Sequence, residues 1–343
     1  MGAAVAPGAA ADSGLAGLPI LLFGAPRSGT TWLGKIFDSH PDVLYRHEPD
    51  SIQEDFGLPW ICPPEMSAAL AAGAVDYLER LIRTGTLKTS SVRPLFPKHY
   101  RDPLRQAAHG GLVWTLRGLG ALGDALGASS RRLNAVRIPD LVRRDTATLR
   151  VVVKSVSAHG RARAFADAAP AARIVVILRD PWGYVASVLR GATQGKFGSA
   201  QPLDWIPDSG PGRRHGLTAA LLAAMPETER LAWNWTAINE QLLDDLADRP
   251  NVRIVRYDEL CDRPEPLARE LFAFADLAWH PQTERFIARS TRHDGPEHYY
   301  GVFRDAAHAP QRWRQEMPAE DQHRIAAILR RSRLAQFCPA LDS

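Results

Sequence analysis

At 343 residues, 45% of them hydrophobic and 23% charged, the chain has the makeup of a globular protein able to bury a substantial core. Its 42 Lys and Arg against 38 Asp and Glu leave a net charge of +4 without the concentrated basic tract of a nucleic-acid binder, so the charge suits an anionic ligand. Cys62, Cys261 and Cys338 lie far apart without disulfide-framework or metal-ligand spacing, and no apolar run reaches the roughly 18–20 residues of a membrane span.

Residues 1–18 show no basic region ahead of a long apolar stretch and read as an Ala/Gly-rich disordered arm on a cytoplasmic protein. One elaborated domain is expected over residues 19–340. Residues 20–23 form a short apolar run that ends in Gly24, and Leu33, Ile36 and Phe37 then recur at helical spacing, which predicts strand, glycine loop and helix. Apolar strand patterns return at residues 151–153, 174–178 and 252–255, each followed by a helical segment. That alternation predicts an α/β fold with a mainly parallel sheet flanked by helices. Residues 57–144 read as helical insertions, and residues 201–216, rich in Pro, Gly and Asp, as a mobile loop. Helical patterns fill residues 227–246, 265–274, 281–289 and 320–333.

The loop Gly24-Ala25-Pro26-Arg27-Ser28-Gly29-Thr30-Thr31 carries the chemistry. A phosphate-binding loop of Gly-x-x-x-x-Gly-Lys-Ser/Thr type holds phosphate oxygens with backbone N–H groups and a helix N-terminus, while its lysine reaches the outer phosphates. Gly24 and Gly29 keep that spacing, but Thr30 stands where the lysine belongs and the basic residue has moved back to Arg27. Such a loop is poorly equipped for a triphosphate, yet still offers amides, hydroxyls and a guanidinium to one phosphate bearing a transferable group.

The run from Pro26 to Leu33 resembles the 5′-phosphosulfate loop of sulfotransferases that use 3′-phosphoadenosine 5′-phosphosulfate (PAPS). Arg179-Asp180-Pro181 with Ser187 resembles the 3′-phosphate motif of the same family. The residues agree, because Asp180 can cap a helix that starts at Pro181, with Ser187 about two turns along on the same face. The resemblance spans residues 19–335, with sharp motifs at these two places, and is closest in pattern to carbohydrate-type members. It implies a P-loop-like fold and PAPS as donor co-substrate without a metal. It also implies an acceptor hydroxyl on a glycan, glycolipid or related polar metabolite. Ser28, Gly29, Thr30, Thr31 and Arg27 would hold the 5′-phosphosulfate, and Arg179 with Ser187 the 3′-phosphate. Tyr257, in a stretch similar to the family's late strand, would lie near the adenine. Arg304, with Trp313 and Arg314, falls in a region similar to the closing segment that carries 3′-phosphate contacts. Trp32 would stack on adenine, with a place in the core as the alternative.

Sulfuryl transfer to an alcohol needs a base and cationic stabilisation of the leaving phosphate. Cytosolic relatives carry Lys-Thr/Ser-His before the 3′-phosphate motif; here Lys154 and Ser155 match, but Val156 replaces the histidine. Carbohydrate-type members show an acidic residue in a Phe-Glu-Pro-like turn, and His47-Glu48-Pro49 fits that pattern, making Glu48 the candidate base. Pro49 predicts an extended Glu48 at the end of a short strand over residues 43–45. His47 and His159 are reserve bases. Arg27, always protonated, suits electrostatic stabilisation. Lys154, at a strand's C-terminal end, would contact the sulfuryl group or acceptor, or form an ordinary salt bridge. A small-molecule kinase with a degenerate phosphate loop and a non-catalytic nucleotide-binding protein are the alternatives.

Overall fold

Alternation along the strands builds two cores at once. The computed structural model describes residues 19–52, 57–127, 130–143, 149–195, 203–291 and 310–341. Residues 1–18 and Arg304 lie outside the described residues. In chain order the strands are β1 (Ile20–Phe23), β2 (Val43–His47), β3 (Arg150–Ser155), β4 (Arg173–Leu178) and β5 (Val252–Arg256). They form one parallel sheet in the order β2-β3-β1-β4-β5. Leu21, Phe23, Val151, Val153, Ile174 and Val176 face one layer, while Ile20, Leu22, Val152, Val175 and Ile177 face the other. Both faces are covered, as a parallel sheet requires.

The helices over the second layer are α1 (Thr30–Asp38), and later in the chain α10 (Tyr257–Asp262), α11 (Pro264–Phe274) and α12 (Pro281–Ser290), where Leu33, Phe37, Leu271, Phe272 and Phe286 meet the strands. The insertion between β2 and β3 contains α2 (Ala68–Arg83), α3 (Leu87–Ser90) and α4 (Pro103–Ala125), as its composition predicts. The first layer takes α2, α5 (Ala162–Ala168), α6 (Pro181–Thr193), α9 (Glu227–Leu246) and α14 (Ala319–Arg330), through residues such as Tyr77, Phe165, Trp182, Trp235 and Ile325. The short helices α7 (Gly210–His215), α8 (Ala219–Ala224) and α13 (Trp313–Glu316) complete the described set. Among the described residues no helix is long and apolar enough to cross a membrane.

Two expectations are corrected here. Residues 203–216 are not simply a loop: Ser209 caps α7 by accepting from Gly212 N at 2.9 Å, and Arg214 and His215 bond the buried Glu240 of α9. Composition hid this because a Pro/Gly-rich stretch also suits a short capped turn of helix. The pattern at residues 320–333 breaks at Arg330, and Ser332 then caps a 3₁₀ turn, Arg333–Phe337.

Two buried cations fasten the insertion to the sheet layer. Arg46 on β2 donates to both Asp140 oxygens at 2.8 and 2.5 Å and to Ile82 O at 2.8 Å. Lys35 on α1 pairs with Asp38 and donates to the carbonyls of Val92 and Pro94 at 2.9 and 2.6 Å. Buried charges are tolerated when each finds such partners.

Candidate active site

β1 is the middle strand, and the chain returns to β3 on one side of it and β4 on the other, so a crevice opens at its carboxyl end. The loop from Gly24 to Gly29 occupies that point. Gly29 caps α1 at φ 86°, and a Cβ there would lie 2.4 Å from the Tyr257 ring, so only glycine fits on both counts. No side chain caps α1, leaving its first amides for a ligand. The Ser28 hydroxyl is fully buried without a hydrogen-bond partner. Orphaned donors beside a glycine-made cradle fit a phosphate group.

The two motifs touch. Arg27 Nε donates to Ser187 Oγ at 3.2 Å, and Arg179 Nη1 donates to the Arg27 carbonyl at 3.1 Å. Arg179 also lies 4.8 Å over the Tyr257 ring. Asp180 caps α6 as its position before Pro181 predicts, accepting from Gly183 N at 2.6 Å. Burial pushes the Asp180 carboxyl up to about 7, with Arg179 opposing and Asp258 adding to the rise.

On the other side of the loop, the tips of β2 and β3 bring Glu48 and Lys154 into an ion pair. Glu48 N donates to Lys154 O at 2.8 Å, and the Glu48 carbonyl accepts from Ser51 N at 3.1 Å and from Ser51 Oγ at 2.6 Å. These bonds turn the chain sharply, so Glu48 is left-handed at φ 47°, ψ 53°, correcting the extended conformation predicted from Pro49. Among the described residues four non-glycine positions have positive φ, and two of them, Arg27 at 68° and Glu48, line a cavity between the loop and the tips of β2 and β3. Strained backbone gathers where geometry serves a site.

That cavity holds about 660 Å³, a size that suits a small-molecule site. Pro26, Arg27, Gly29, Thr30 and Thr31 line one wall, His47, Glu48, Lys154 and Val156 the next, and Lys88, Ser91, Val92, Arg93 and Arg117 the third. Burial would raise the Glu48 carboxyl, but Lys154, with His47 and then Lys88 adding to it, holds it down at about 2. Burial and Lys154 lower His47 to about 3, so it is a neutral neighbour. Among the described residues no group of three or more His, Cys, Asp or Glu is placed to hold a metal ion.

Other singled-out residues sit elsewhere. Trp32 is buried, donates to Ser290 Oγ at 3.0 Å and packs among the second layer's apolar side chains; as placed, its ring is core and presents no face to the cavity. Tyr257 is fully buried beneath Gly29 and supports the loop. His159 packs against Trp60 and Trp205 with its pKa lowered by burial to about 3, away from this cavity. Trp313 stacks on Trp182 with Arg314 over it, and both line a second cavity of about 900 Å³ that reaches Asp180. The sequence did not single out Lys88, Arg93 and Arg117, because their common wall is assembled only when α3 packs beside β2 and α4 packs on α3.

Several known proteins are similar to this chain. Mouse carbohydrate sulfotransferase 5 is 34% identical over 80 residues, covering 22% of this chain and 20% of that protein's length. Human carbohydrate sulfotransferase 6 is 25% identical over 341 residues, covering 92% of this chain and 79% of its own. A sulfotransferase structure from Alicyclobacillus acidocaldarius aligns with 94% of this chain and 99% of its own at 17% identity and a TM-score of 0.39. The Sulfotransferase domain family itself matches residues 19–332, a span that takes in the loop, the Glu48 turn, Lys154 and the Arg179 motif, and the chain belongs to that family.

Proposed function

We propose that the protein transfers a sulfuryl group from PAPS to a hydroxyl of a glycan, glycolipid or related polar metabolite. The observation that carries this reading is the convergence, at the carboxyl end of β1, of a lysine-free phosphate loop, the Arg27–Ser187–Arg179 contacts and the Glu48–Lys154 pair. When bound, the donor supplies the sulfuryl group and departs as adenosine 3′,5′-bisphosphate.

The residues then divide the work. Arg27, Ser28, Thr30, Thr31 and the first amides of α1 hold the 5′-phosphosulfate, and Arg179 with Ser187 holds the 3′-phosphate. Arg27 stays charged and stabilises negative charge on the departing phosphate oxygen. Glu48 accepts the proton of the acceptor hydroxyl as that oxygen bonds to sulfur. Lys154, which keeps Glu48 ionised in this structure, also presents its charge to anions in the cavity. Trp32 contributes packing in this reading, and Tyr257 holds the loop and Arg179 in place.

Incubating the protein with sulfur-labelled PAPS and a fractionated extract, then identifying the labelled product, tests the reading. Label in an O-sulfated product is expected. Magnesium-dependent consumption of ATP without PAPS turnover would favour a kinase instead, and tight PAPS binding without transfer to any fraction would favour a binding protein.

A further inference from the structure

We infer that the acceptor carries an anionic group, a carboxylate, sulfate or phosphate, which Arg93 and Arg117 receive beside the reacting hydroxyl; this rests on the donor reading above. The sheet separates the two ligands. Arg179 and Ser187 follow β4 on one side of β1, whereas Arg93 and Arg117 belong to the insertion packed beside β2 on the other. The donor's phosphates therefore have their own cations, and the wall beyond Glu48 has different ones.

That wall is cationic beyond what the protein neutralises. Lys88 approaches Glu48 at 3.9 Å, but among the described residues neither Arg93 nor Arg117 has an ion-pair partner. Arg93 is the charged neighbour that acts on Arg117, so two guanidiniums share one corner of the cavity. Both are held in place. Arg117 donates to Ser91 Oγ from Nε at 3.0 Å and from Nη2 at 2.6 Å, and Arg93 lies 4.1 Å over the Trp114 ring. Lys35 bonds the carbonyls on either side of Arg93, fixing that turn to α1. Two positioned guanidiniums without a carboxylate form a receptor for a planar or tetrahedral anion.

The test uses protein saturated with adenosine 3′,5′-bisphosphate, so that the phosphate loop is filled. Binding of p-nitrophenyl β-glucuronide is compared with that of p-nitrophenyl β-glucoside, which has a hydroxymethyl in place of the carboxylate. The glucuronide is expected to bind about tenfold or more tightly, the scale of one charge-assisted hydrogen bond. In the double variant R93Q/R117Q that preference collapses to about twofold or less, while bisphosphate affinity stays. Equal binding of the two glycosides, no glucuronide binding at millimolar concentration, or an undiminished preference in R93Q/R117Q overturns the inference and leaves the donor reading standing. Loss of bisphosphate affinity in the double variant also overturns it, by assigning these arginines to the donor. Failure of the parent protein to bind the bisphosphate overturns both.

Discussion

Glu48 sits between two opposing influences, and their balance sets its chemistry. Burial alone would make it a stronger base, whereas Lys154 makes it a permanent carboxylate with a pKa of about 2. In its proposed role as base, Glu48 is ionised throughout the working range, so kcat/KM is expected to show no acid limb from this group above pH 4. Replacing Lys154 with Ala removes the largest opposing charge and leaves only His47 and Lys88 against burial, which moves that limb upward. An unshifted pH profile in K154A would remove Glu48 from the role. Glu48→Gln keeps the shape and loses the proton acceptor; kcat is expected to fall by about 10²–10⁴-fold with bisphosphate affinity retained.

The loop and the two helices it touches show why single elements can be read for function. Gly29 ends the loop where a left-handed residue is needed and the Tyr257 ring leaves no room. Gly29→Ala is therefore expected to cost more than about 1 kcal/mol in chemical denaturation and to weaken bisphosphate binding with it. α6 carries a different tension, because its cap Asp180 is a buried carboxylate raised to about 7. Its folded pKa exceeds the usual 3.8, so the fold favours the protonated form, and stability is lost as pH rises from about 4 toward 7. Asp180→Asn keeps an oxygen for the Gly183 amide and cannot ionise. The variant's stability relative to the parent is expected to increase from pH 4 to pH 7 and level off above; a pH-independent difference would contradict this.

At the scale of the whole molecule, packing sets an acid limit. His47 lies on β2, His109 on α4 and His159 in the turn between β3 and α5, and burial lowers them to about 3, 4 and 3. Each is neutral when folded and protonated near pH 6.5 when unfolded, so its contribution is complete above pH 6.5 and declines as pH falls toward those values. His159→Phe, between Trp60 and Trp205, removes one such group without emptying the space. Urea titrations at pH 7 and pH 5 are expected to show a smaller loss for H159F than for the parent. The same burial that creates this limit places the ligand crevice, because a sheet covered on both faces leaves the strands' carboxyl ends open.

By itself the sequence determined the parts whose signals are local. The step from β1 through Gly24 and Gly29 into α1 was legible because apolar run, glycine spacing and helical period are contiguous. The Asp180–Pro181 cap and the 20-residue span of α9 were legible for the same reason, since capping chemistry and a 3.6-residue period need no distant partner. Tertiary structure alone decided the contacts between residues far apart in the chain. It turned Glu48 left-handed through the Lys154 carbonyl, joined Arg27 to Ser187 across 160 residues and buried Trp32 against Ser290. It also set Lys88, Arg93 and Arg117 on one wall of the cavity. The free energy of such contacts comes from burial and pairing between elements, and neighbouring residues in the sequence carry no trace of it.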